Sequence, residues 1–175
     1  IEQHGLSRYL GSLSGGLATE RIEFDFGVSW LDSDGFPTRT TDDVDRGYDN
    51  LGASVQVRAD VGRSEVALRH WSARGTSEYS DFILTPVDQD FENATTALAV
   101  AWPVGAAARA ELRATRFEDR IEQNQSADFL RTSRDSLDAQ LDWRWTPRQS
   151  LGAGAMISDE RASSEGYGER MRADT

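Results

Sequence analysis

Three things are missing from this 175-residue chain, and each closes off a class of function. There is no cysteine, which removes disulfides, thiolate metal sites and thiol nucleophiles. There is no lysine either, and the 19 basic residues, all arginine, face 30 acidic ones for a net charge of −11. That balance argues against nucleic acid as a partner, because phosphate binding needs clustered positive charge. Nor does any apolar run reach the roughly 18 residues of a membrane-spanning helix, so a membrane role would have to use strands. No charged-then-apolar leader opens the chain.

Apolar residues are scarce at 38%, with 28% charged, and the mean hydropathy is −0.59. For a chain long enough to hold one sizeable domain, that is little material for a core. Five tryptophans among 9% aromatics nevertheless argue against disorder. A barrel wall reconciles the two, since a barrel strand turns only every second residue toward lipid.

What the chain has in quantity is alternation. In Arg21-Ile-Glu-Phe-Asp-Phe-Gly-Val-Ser-Trp30 every even position is apolar and every odd one is not, the pattern of a strand between two different solvents. The same period predicts eight strands, near 6–18, 21–31, 50–61, 64–74, 93–102, 107–117, 135–145 and 150–158. At about 10 to 12 residues they are long for a globular protein. Short connections fall near Glu20, Gly62, Gly105 and Arg148, spaced by 42, 43 and 43 residues. Long ones, near 32–49, 75–92, 118–134 and 159–172, all lie at the opposite end. The fold expected is therefore all-β, an antiparallel up-and-down transmembrane barrel segment with short turns at one end and long loops at the other. A soluble β-sandwich has no reason to sort its loops so. Trp102 and Trp145 precede short turns and Trp30 and Trp71 sit at the long-loop ends, as interfacial indoles would. Trp71, however, falls on the charged face unless a bulge shifts the register.

The order of three motifs adds a resemblance. Val28-Ser-Trp-Leu-Asp-Ser-Asp-Gly-Phe36, then Asp42-Asp-Val-Asp-Arg-Gly-Tyr-Asp-Asn50, then Ser77-Glu-Tyr-Ser-Asp81 resemble the early barrel of TonB-dependent outer-membrane receptors, and within them the cobalamin transporter group. The resemblance implies a bacterial outer-membrane barrel of about 22 strands plugged by an N-terminal domain, an energy-coupling TonB-type partner reached through that plug, and uptake of a scarce solute such as cobalamin or a metal chelate. Residues 1–175 would be part of one such barrel, without its plug or its closing strands. It also implies loops that bind calcium. Asp43 and Asp45 fall at the family's acidic pair before Gly47-Tyr48, and Asp34 and Asp81 are further candidate ligands, while Ser80 stands where the pattern has an acid. The residues themselves agree on the chemistry, since closely spaced carboxylates suit a cation taking six to eight oxygen ligands. An EF-hand is excluded because no Glu completes the spacing at the twelfth position.

Other chemistry is thin. His4 and His70 are the only histidines, and His70 has no acidic or serine partner at a catalytic spacing, so no enzyme is expected. Asn93-Ala-Thr95 matches a glycosylation acceptor but opens a strand. A passive porin, or a soluble β binding module, are the competing readings.

Overall fold

A computed structural model describes residues 7–37, 44–81, 83 and 85–165, and the backbone of 170–174. They form nine strands: β1 (Arg8–Ala18), β2 (Ile22–Phe36), β3 (Arg46–Val61), β4 (Ser64–Ser80), β5 (Pro86–Val104), β6 (Ala108–Gln123), β7 (Phe129–Thr146), β8 (Gln149–Ser164) and β9 (Arg170–Asp174). All lie in one antiparallel sheet in sequence order, and the described residues contain no helix. The sheet is open, with β1 and β9 at its two edges.

All eight expected strands are present, and the short turns lie where the 42- to 43-residue period puts them. Gly62 and Gly105 supply the positive φ of 66° that two of those turns require. In the first turn the Thr19 hydroxyl accepts the Ile22 amide at 3.0 Å.

The expected long loops are corrected. Strands run on through much of each, leaving connections at 37–45, 81–85, 124–128 and 165–169, and the last expected loop contains part of β9. The period fades there because both faces carry polar residues. Polar side chains hold the extensions instead, as where the Thr76 hydroxyl donates to Asp90 at 2.8 Å.

Directly opposed residues share a face of a sheet, so the pairing carries each face across the strands. One complete row reads Leu17, Phe24, Val57, Leu68, Leu98, Ala114, Leu137, Ile157. The next row, on the other face, reads Gly16, Asp25, Gln56, Arg69, Ala97, Thr115, Ser136, Ser158. The two faces are as different as the alternation requires. Trp30, Trp102, Trp143 and Trp145 stand on the apolar face, the last two stacked at 5.7 Å. Trp71 stands on the polar face, opposite Ser54, because no bulge interrupts the β3–β4 register from Leu51 to Val61.

No core lies between these faces. Among the described residues only Arg46, Gly52, Ala73 and Ala101 are buried, while Leu98, Leu137 and Leu141 are each more than 40% exposed. So large a contiguous exposed apolar surface marks a face that meets another protein or a membrane.

The tip-side edge of the apolar surface is oblique. Passing from the short turns toward the long-hairpin tips, the first charge on the apolar face is Asp32, Asp49, Arg74, Glu92, Arg116, Asp135 and Asp159 on β2 to β8. Asp32 opposes Asp49, Arg74 opposes Glu92, and Asp135 opposes both Arg116 and Asp159. But Arg74 lies opposite Leu51, two residues short of Asp49, and Glu92 lies opposite Arg120, four residues past Arg116. The edge thus slips six residues over the six steps from β2 to β8. One residue, about 3.3 Å, per strand spacing of about 4.8 Å is a slope of about 35°.

Candidate functional site

Beyond the oblique edge the hairpins carry mixed charge toward their tips. Arg116 pairs with Glu118 at 2.8 Å and reaches Asp135 at 4.0 Å; Arg120 pairs with Glu122, and Arg161 with Asp159. These side chains are well exposed, so each pair contributes at most about 1 kcal/mol. Their use is to make this end of the apolar face water-compatible.

At the very tips the acids serve the loops. The Asp81 carboxylate accepts the amides of Ile83 at 2.9 Å and Thr85 at 2.8 Å, closing the β4–β5 connection. Glu78 accepts the Gly47 amide at 2.8 Å, and Asp49 accepts the Thr76 amide at 3.0 Å. Asp88 is held by the side-chain amides of Asn124 and Gln125, while its own amide donates to Gln125 at 3.0 Å. These hydrogen bonds, Asn124's first, hold the Asp88 carboxyl below the ordinary carboxylate range. A depressed folded-state value stabilises the ionised, docked loop above the unfolded pKa, and that contribution is lost as pH falls through the folded value. Acidification below the usual carboxylate range should therefore free the 124–128 connection from β5 first, seen as faster amide exchange at Asn124, and Asp88→Asn should remove the pH dependence.

The four expected calcium ligands are not brought together in the described part. Asp34 is exposed on β2, with its amide donating to the Ser7 carbonyl at 3.1 Å. Asp81 caps its own loop. Asp45 is half-buried beside β3, with its Oδ1 sealed from solvent and without a hydrogen-bond partner; next to it the buried Arg46 donates to the Ser80 hydroxyl at 2.8 and 2.9 Å. Asp43, like His4, lies outside the described residues. Among those described, no group of three or more His, Asp or Glu is set to hold a metal ion.

The polar face carries two features. Near the short turns Glu23, Arg58, Glu65 and Arg109 form a chain across the strands, with contacts of 2.7, 3.8 and 3.6 Å. Glu65 and Arg109 reach each other over β5, where Ala101 is small enough to lie buried beneath. Toward the tips stand aromatic rings: Trp71, which the alternation already put on this face, is 48% exposed, and Tyr48 and Phe91, which it did not single out, stack at 5.7 Å and 9°. Tyr48 and Phe91 lie two strands apart and meet because Gly75, between them on β4, has no side chain. Only their cross-strand register brings them together, so sequence spacing held no signal for the pair.

Comparison with protein-family models, curated proteins and solved structures finds no match to this chain.

Proposed function

We propose that the chain is part of the wall of a β-barrel in the bacterial outer membrane, and that the barrel is a TonB-dependent transporter taking up a scarce solute such as cobalamin or a metal chelate. The oblique apolar surface carries this reading. Strands in membrane barrels tilt about 35–45° from the barrel axis, and an apolar band horizontal in a bilayer must cross such strands at that slope; the edge here slopes at about 35°. Nine residues, as from Leu137 to Trp145, climb about 22 Å at that tilt, close to the roughly 25 Å apolar belt of these barrels. The polar face then lines the lumen, and the short turns face the periplasm.

The chain's lack of cysteine makes the test direct. In the membrane-inserted protein, Leu141→Cys should resist a water-soluble maleimide while Gln140→Cys reacts, and equal labelling of both would overturn the wall assignment. Uptake abolished by a protonophore separates an energised transporter from a passive porin, in which flux would continue.

Calcium at the tips remains part of this reading, supported by the density of acids and the motif resemblance. Calcium should order the first long-hairpin tip of the native protein and have no effect once Asp43→Asn and Asp45→Asn are combined. The measure is protease protection of the 37–45 connection with and without the ion. An identical response in both proteins would show that these two acids are not ligands.

A further inference from the structure

We infer that the polar face carries a ring-binding trench near the hairpin tips, and that its ligand is an uncharged saccharide. Its floor is a run of directly opposed small or polar residues, Gly52, Ala73, Asn93, Asp119 and Thr132. Two residues toward the short turns, Trp71 and Phe117 stand in one register row on either side of Thr95. Two residues toward the tips, Phe91 opposes Ile121, with Tyr48 stacked on the Phe91 ring. The wall rows are separated by four residues along each strand, about 13 Å between backbones, with Ala73 buried between them. That is room for one six-membered ring.

The chemistry selects the ring. A face lined with aromatics takes an apolar surface, while the Asn93 amide can donate and accept and the Asp119 carboxylate can accept twice. Vicinal hydroxyls on a ring whose flat C–H face meets an indole satisfy both at once, and a few placed polar groups among aromatic walls are the usual make-up of a small-molecule site. An anionic ring is disfavoured. Asp119 supplies the floor's only charge, and the nearest arginine in register with Trp71 and Phe117, Arg134, is taken by Glu160 at 2.7 Å. Leaving Trp71 about half exposed among polar neighbours costs apolar surface in water, a cost that ligand contact would offset.

This inference rests on the wall assignment only in needing the polar face to line an aqueous lumen. Trp71 is the single tryptophan of this chain on that face, so it reports on the trench. The protein, purified and returned to phosphatidylcholine vesicles, is titrated with maltotriose, cellotriose and the N-acetylglucosamine trimer while tryptophan emission is followed. At least one should give a saturable change, absent in Trp71→Phe and requiring at least tenfold more sugar in Phe117→Leu and in Asp119→Asn. These variants keep side-chain volume close to native, and Leu137→Ala on the opposite face should titrate as native. No saturable change with any of the three, or unaltered titrations in Phe117→Leu and Asp119→Asn, overturns the proposal. The maleimide experiment on the same vesicles separates the two failures. Leu141→Cys protected without sugar binding removes the trench alone, whereas Leu141→Cys reactive with sugar binding intact removes the membrane wall and leaves the trench.

Discussion

Leu141→Arg should, on the proposed wall assignment, destabilise the membrane-inserted protein by about 2–4 kcal/mol, the cost of an arginine on the lipid side of a barrel near mid-membrane. Leu141 is the middle residue of the Leu137–Trp145 stretch, opposite Ala110 and Ala153. Neither alanine offers a charge or hydrogen bond to a guanidinium, and both band edges are about four residues away. Gln140→Arg, one position along, points into the polar face, where Asp138 and Asp142 flank it on the same strand. It should change stability by less than about 0.5 kcal/mol, as substitutions outside special features usually do. Denaturant titrations in lipid vesicles measure the difference. A larger cost for Gln140→Arg would mean that the two faces are exchanged, and equal costs that neither meets lipid.

The second large effect is expected at Gly75. A Cβ there would lie 2.0 Å from the Asp49 carbonyl oxygen and 2.7 Å from its carbon. These are backbone atoms, which no side-chain rotation can clear. The register steps from Tyr48–Ser77 to Leu51–Arg74 across this point without direct pairs at Asp49 and Asn50, and the Asp49 carboxylate replaces the missing ladder bond by taking the Thr76 amide. Gly75→Ala must push β3 and β4 apart where Tyr48 and Phe91 close over the glycine. A cost on the order of 1–3 kcal/mol follows from strain of this kind, with loss of the ring stacking as a local signature. Thermal unfolding, together with the near-ultraviolet circular dichroism of Tyr48 compared in Phe91→Leu, would measure both. An unchanged midpoint would mean that the close approach relaxes freely.

The sequence announced this architecture wherever the two faces of a strand differ in polarity. The Phe24–Trp30 alternation, the glycine turns at 62 and 105, and the placement of Trp71 against its neighbours could all be read without coordinates, because each depends on chain-local periodicity or on a φ that glycine favours. The extended hairpins could not be read. Past Arg74 or Arg116 both faces are polar, so nothing in the pattern separates a paired strand from a loop; cross-strand bonds such as Thr76 to Asp90 decide it. The candidate site was legible only as composition. Acid density was plain, but that Asp81 and Glu78 spend their oxygens on loop amides, and that Tyr48 meets Phe91 over a glycine, depends on which residues of neighbouring strands fall opposite one another.

Each strand of this sheet pairs its backbone only with the strands before and after it in the chain, and the hairpins repeat every 42 or 43 residues. The molecule is therefore divisible in pairs. Excising one whole period, β4 with β5 or β6 with β7, would leave every remaining strand running in its original direction, with its turns still at the same end. Excising a single strand would invert everything downstream, carrying tip charges such as Asp135 and Asp159 to the end where Trp102 now stands. Growth or shrinkage of such a wall is thus restricted to even steps, and the quantity that must be inherited intact is not any one residue but the parity of the count.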